Sequence, residues 1–124
     1  MFIYKNPNPC KCLVGDCVIR AIAIAMNKPW RDIYLDLCTQ GLLMCDMPSS
    51  NAVWKAYLLQ NDYIIKIPDE STIAAFAAAH TKGAYIIGTG EHAIAVINGD
   101  YYDTWDSGQE APAFYLTREH EVNV

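Results

Sequence analysis

The chain has 124 residues, of which 52% are apolar, and a formal net charge of −5. This length and apolar content predict one folded domain over residues 1–124 and exclude a mainly disordered chain. The acidic balance and the scattered Lys and Arg residues give no basic surface for nucleic acid or for an anionic membrane. We therefore expect neither as a partner.

The compartment is indicated by the N-terminus and the cysteines. No apolar window reaches the roughly 20 residues that a membrane-spanning helix needs. Residues 1–5 lack the basic stretch and long apolar run of a secretory signal. The cysteines number five, an odd count that fits reduced thiols better than a disulfide framework. These features predict a cytoplasmic protein.

The first half of the chain predicts helices. Residues 1–15 form an extended lead-in, because Pro7 and Pro9 disfavour helix. Asp16 is the expected N-cap of a helix that is apolar nearly all round and therefore buried. Arg20 is the charged exception in this helix and needs a partner or a route to solvent. A second helix is predicted over residues 30–38, a connecting loop over 41–48 and a third helix over 50–59.

The second half predicts a short alanine-rich helix among strands. Ser71 or Thr72 begins the helix, which closes near Gly83. Asn98-Gly99-Asp100 is typical of a hairpin turn, since Asn and Gly tolerate positive φ. Helices followed by a mostly antiparallel sheet define an α+β fold, with a central buried helix packed on the sheet. The strands are predicted at 63–67, 84–88, 92–97 and 101–105, with a last edge strand at 113–117.

Cys17 and His92 are the candidate nucleophile and base. Cys17 begins the buried helix, where unpaired backbone N–H groups favour thiolate over thiol. His92 begins a strand much later in the chain and could accept the thiol proton. Asp103 or Asp106, just beyond, could orient the imidazole. Together they predict a Cys-His-Asp triad.

The choice of aspartate depends on the register of the predicted hairpin. A three-residue turn at residues 98–100 places Asp106 directly across from His92. A two-residue turn places Trp105 or Ser107 there and leaves Asp103 on the same face, further along. Asp106 lies at the histidine's end of the hairpin in each case, so it is the preferred partner.

The order of these parts resembles the papain-like cysteine peptidases, including their small bacterial NlpC-type and bacteriocin-processing branches. The matching segments are Gly15-Asp16-Cys17-Val18, Gly90-Glu91-His92-Ala93 and residues 102–107. The chain also looks like small proteins of this kind from bacteriophages and their bacterial hosts. The resemblance implies a papain-like fold and a hydrolase acting on a peptide or protein through an acyl-enzyme.

The resemblance also implies a glutamine shortly before the cysteine, and no Gln precedes Cys17. Asn6 or Asn8 could supply the missing side-chain amide to an oxyanion, beside the backbone N–H of Cys17. We assign Asp16 and Trp105 to the substrate-binding side of the same site. Trp105 could shield the histidine–aspartate hydrogen bond from water, or pack in the sheet.

Two other interpretations stay open at this point. Cys10-Lys11-Cys12 with Cys17 and a histidine could hold zinc, but the spacing lacks the paired two-residue gaps of common zinc modules. We therefore expect neither a metal ion nor a cofactor. A papain-like fold without turnover, acting as a protein-binding or inhibitor module, is the alternative to the enzyme.

Overall fold

The computed structural model describes residues 1–118. These residues form an α+β fold of four helices and a six-stranded, mostly antiparallel sheet, as the sequence predicts. The helices are α1 (Cys17–Met26), α2 (Trp30–Met44), α3 (Asn51–Gln60) and α4 (Ile73–Ala79). The strands are β1 (Phe2–Tyr4), β2 (Tyr63–Lys66), β3 (Ala84–Gly88), β4 (Ala93–Ile97), β5 (Asp100–Asp103) and β6 (Phe114–Arg118).

The strands follow the order β1-β5-β4-β3-β6-β2. Only the β1–β5 pair is parallel among the strand pairs of residues 1–118. The prediction that residues 113–117 form an edge strand is wrong, because β6 lies between β3 and β2. One edge of the sheet is instead formed by β1, a part of the lead-in, whose three residues pair with β5.

The sheet separates two apolar clusters. Helix α1 packs on β4, β3 and β5, and α2 and α3 complete the same side. Helix α4 covers the opposite side. The middle of α1 is buried, with Ile22 fully inaccessible, as its apolar sequence predicts. This packing sets the first turn of α1 beside the beginning of β4.

Helix α2 runs six residues beyond the predicted end at Cys38 and includes part of the predicted loop. Gly41 lies inside the helix and does not end it. Its missing side chain allows the chain to pack closely against the helix at this position. A Cβ at Gly41 would lie 2.8 Å from the carbonyl oxygen of Asp46, where the chain folds back over the helix. The helix ends only at Cys45, in the left-handed region at φ 55°.

No helix within residues 1–118 is both long enough and apolar enough to cross a membrane.

Candidate active site

Cys17 is the first residue of α1 and is half-buried. Its backbone N–H belongs to the first helical turn, where no carbonyl oxygen of the helix can accept a hydrogen bond from it. Burial on its own raises the pKa of the Cys17 thiol. The hydrogen bonds from the His92 ring and the Ala93 N–H, with the charges of His92 and Arg20, outweigh burial, so the pKa lies below its usual 9.0. The site therefore favours thiolate.

A tight turn between β3 and β4 positions His92. The Thr89 N–H donates to the His92 carbonyl oxygen at 2.9 Å, so the turn spans Gly90 and Glu91. Gly90 has φ 106°, a conformation that only glycine adopts readily. The turn that places His92 therefore has a defined backbone geometry.

The two ring nitrogens of His92 have different partners. Nε2 lies 2.6 Å from Oδ2 of Asp103, which leaves Nδ1 for the Cys17 thiol. Burial alone lowers the pKa of His92. Hydrogen bonds to Asp103 and Cys17 raise it to about 9. A lowered thiol pKa and a raised imidazole pKa both favour a thiolate–imidazolium pair.

Asp103 is the last residue of β5, and its side chain is 1% exposed. Its Oδ2 also accepts a hydrogen bond from the Ser107 hydroxyl at 2.7 Å, and its Oδ1 accepts one from the Thr104 N–H at 2.8 Å. Burial raises the pKa of Asp103, but the hydrogen bonds from His92 and Ser107 lower it by more, so the pKa lies below its usual 3.8. Asp103 is therefore held as a carboxylate facing the histidine.

Asp106, the preferred partner in sequence analysis, does not receive the hydrogen bond of His92. Its Oδ1 accepts the Tyr101 hydroxyl at 2.6 Å and the Gly108 N–H at 3.0 Å. The expectation was that Asp106 lies at the histidine's end of the hairpin for each turn length, and directly across from His92 for a three-residue turn. The turn has two residues, Asn98 and Gly99, because Ile97 pairs with Asp100. This register, and the end of β5 at Asp103, leave Asp106 in the following loop.

Trp105 lies over the imidazole. Its ring stacks on that of His92, with centroids 5.3 Å apart and planes inclined by 30°. The other face of the indole ring is open to solvent, since Trp105 is 47% exposed. The indole therefore covers one face of the histidine, and its exposed face belongs to the wall of the cleft.

Asn6 and Asn8 hold the lead-in together. Oδ1 of Asn6 accepts the Asn8 N–H at 3.1 Å, and its Nδ2 donates to the Cys12 carbonyl at 3.3 Å. Oδ1 of Asn8 accepts the Cys10 N–H at 2.9 Å. Neither asparagine lines the cavities that Cys17 lines. The structure does not bring these two amides to the thiol, because the turn of the lead-in uses them.

Asp16 occupies the N-cap position of α1, but its side chain makes no capping hydrogen bond. Its carboxylate forms a buried ion pair with Arg20 and accepts the Trp30 indole N–H at 2.9 Å. The Asn8 amide lies 3.5 Å from the same carboxylate. Asp16 thus joins the lead-in to α1 and α2, and it does not line the cavities beside Cys17, contrary to the substrate-binding role expected of it.

An open cleft crosses the site. A cavity of about 420 Å³ lies on the α3 side and another of about 540 Å³ lies on the lead-in side, and both are lined by Cys17 and His92. A third, of about 800 Å³, lies beyond His92 against Trp105 and Glu110. The thiol and imidazole are therefore reached from water on both sides, with room for an extended substrate.

Asn51 and Ser107 were not identified as site residues from the sequence. The Asn51 amide donates to the Gly90 carbonyl at 3.1 Å and lines the cavity on the α3 side together with Cys17. Sequence analysis singled out Ser107 only as a register position. Nothing in the local pattern marks either residue, because Asn51 reaches the site through tertiary packing and Ser107 through the fold of the loop after β5.

Residues 1–118 contain no group of three or more His, Cys, Asp or Glu side chains arranged to hold a metal ion.

No protein-family model, no curated protein and no solved structure matches the chain. The geometry of the site therefore carries the functional argument.

Proposed function

We propose that the protein is a small cysteine hydrolase that cleaves a peptide, isopeptide or related amide bond through an acyl-enzyme. Cys17 is the nucleophile, His92 the acid and base, and Asp103 the residue that orients the imidazole. The observation that carries the proposal is that the Cys17 thiol and His92 lie side by side in one cleft, with Nε2 of His92 2.6 Å from the buried Asp103 carboxylate.

The reaction follows from this chain of contacts. The Cys17 thiolate attacks the substrate carbonyl carbon, and the imidazolium of His92 then protonates the leaving amine as the carbon–nitrogen bond breaks. Water, deprotonated by the now neutral His92, attacks the thioester. The carbon–sulfur bond then breaks, which releases the carboxylic acid product and restores the Cys17 thiolate, and the proton taken from water leaves His92 as the imidazolium.

The oxyanion needs donors beside the sulfur. The free N–H of Cys17 at the first turn of α1 is one donor. The second is the amide of Asn51, which has two N–H groups and gives one to Gly90. This residue takes the place that the resemblance gives to a glutamine before the cysteine.

A papain-like architecture is part of the proposal. A half-buried thiol heads a buried helix, a histidine precedes a strand of the sheet packed on it, and an aspartate ends the neighbouring strand. The open cleft fits an extended peptide or a protein segment. All five cysteines are free thiols, which supports action in the reducing cytoplasm.

A binding or inhibitor module without turnover is the second candidate. The observation that favours it concerns Asn51, whose amide already donates to Gly90 and is therefore incompletely free for an oxyanion. In that case the cleft binds a polypeptide and the thiol stays unreacted.

The two functions are separated by incubating a bacterial lysate with the wild-type protein or with Cys17→Ala, followed by peptide mapping. The proposal predicts new chain ends or hydrolysed amides with the wild type and none with the variant, whose fold should be intact. Identical maps would contradict the hydrolase and support the binding module.

A further inference from the structure

Arg20 is the one charged residue in the otherwise apolar sequence of α1, and its side chain is 8% exposed. Nη1 forms an ion pair with Asp16, and Nη2 lies 3.3 Å from Oδ1 of Asp103. A buried guanidinium is costly unless it is paired, and here two carboxylates pair it. One buried side chain therefore joins the beginning of α1 to the end of β5.

The two oxygens of Asp103 serve opposite sides of the site. Oδ1 faces Arg20 and the Thr104 N–H, and Oδ2 faces His92 and Ser107. With Oδ1 fixed by Arg20, rotation of the carboxylate would break an ion pair. The orientation that presents Oδ2 to the imidazole is therefore held from behind.

The charges also alternate along this chain of contacts. Asp16, Arg20 and Asp103 carry −1, +1 and −1, and an imidazolium and a thiolate continue the alternation to Cys17. If Arg20 were neutral, Asp16 would lose its ion pair, and Asp103 would keep only His92 as a cationic partner. The positive charge of Arg20 also acts directly on Cys17.

We propose that Arg20 is a positioning residue, which fixes the charge and orientation of Asp103 and thereby keeps Cys17 and His92 as a thiolate–imidazolium pair. This inference rests on the proposed function, because it concerns the same site. Arg20 touches no reacting atom and acts through Asp103 and through its charge.

The charged and titratable groups around Cys17 and His92 come from several elements. His92 and Glu91 belong to the turn before β4, Asp103 ends β5, and Arg20 projects from α1 itself. Helix α3 contributes the neutral Asn51 to the other cavity beside Cys17, on the α3 side. Arg20 is thus the one permanent cation among the described residues that line the cavities beside Cys17.

The test is the pH profile of Cys17 alkylation by iodoacetamide, measured on the full chain by mass spectrometry of each cysteine peptide. Arg20→Gln keeps amide donors but removes the charge. Its Cys17 midpoint should rise by about one pH unit, within the range of about 1 to 3 units for a neighbouring opposite charge. Arg20→Lys keeps the charge but cannot contact both carboxylates with a planar fork, so its midpoint should rise by less than that of Arg20→Gln.

Arg31→Gln is the matched control, since Arg31 is exposed on α2 and lies outside the Cys17 cavities. Its midpoint should equal that of the wild type. If Arg20→Gln does not fold, the rise in Arg20→Lys decides. A low wild-type midpoint that stays unchanged in the folded Arg20 variants would overturn the role of Arg20 alone. A wild-type midpoint equal to that of the exposed Cys10 would overturn the proposed function with it.

Discussion

At the scale of single residues, the chemistry of Cys17 depends on a balance of opposing effects. Burial disfavours its thiolate, whereas His92, the Ala93 N–H and Arg20 favour it, and the second group is stronger. Helix position and a later histidine were visible in the sequence and gave Cys17 and His92. The identity of the aspartate was not visible, because it depends on where β5 ends and on the loop that follows, in which Asp106 accepts the Tyr101 hydroxyl.

The two aspartates make a matched pair of variants. Asp103→Asn removes the anion that stabilises the imidazolium, so the thiolate fraction of Cys17 at pH 7 should fall by about threefold to tenfold. Asp106→Asn should change it by less than about twofold, because Asp106 binds Tyr101 and not His92. The rate of Cys17 alkylation measures both. A larger effect of Asp106→Asn would restore the partner that sequence analysis preferred.

At the scale of elements, hydrophobic period and turn chemistry carried most of the prediction. The run of apolar residues after Cys17 gave α1, and Asn98-Gly99 gave the β4–β5 hairpin, with φ of 49° and 90°. Strand order was less accessible, because the alternation in β6 is the same for an edge and an interior strand. The extension of α2 through Gly41 was missed, since propensity alone treats glycine as a helix end.

Gly88 tests the close approach of β3 and β6. A Cβ at this position would lie 2.3 Å from Cζ of Phe114, whose ring also contacts Trp54 and lies under Lys55. Gly88→Ala should therefore lower the free energy of unfolding by about 1–3 kcal/mol, measured by urea denaturation. Gly15→Ala, with nothing within 4 Å of the added Cβ, should change it by less than about 0.5 kcal/mol. Equal effects of the two substitutions would contradict the packing described.

At the scale of the whole molecule, the site and the core are connected through buried charges. The ion pairs of Arg20 join α1 to β5 between the layers, so the site contributes to folding as well as to chemistry. The sequence indicated that Arg20 needs a partner. It could not supply the partner's identity, since Asp103 is 83 residues away along the chain.

This connection predicts a pH dependence of stability. The pKa of Asp103 is lowered on folding, so its contribution is present above its unfolded pKa of about 3.9 and is lost as pH falls through the lower folded value. Breaking a buried pair costs about 3–5 kcal/mol. Wild type should exceed Asp103→Asn by about this amount near pH 6, and the gap should narrow below about pH 4, by at most about 1.4 kcal/mol for each pH unit. Urea denaturation between pH 7 and pH 2.5 measures it, and a constant gap would contradict the account.

The central claim is that Cys17 and His92 form a thiolate–imidazolium pair in an open cleft. The direct measurement is the relative rate of iodoacetamide alkylation of each cysteine in the folded protein at pH 6.5. Cys10, Cys12 and Cys45 are more exposed than Cys17, so access alone makes them faster. We expect Cys17 to react at least about tenfold faster than these three, and to lose that advantage in His92→Ala. A Cys17 that reacts no faster than they do, or as fast without His92, would contradict the claim.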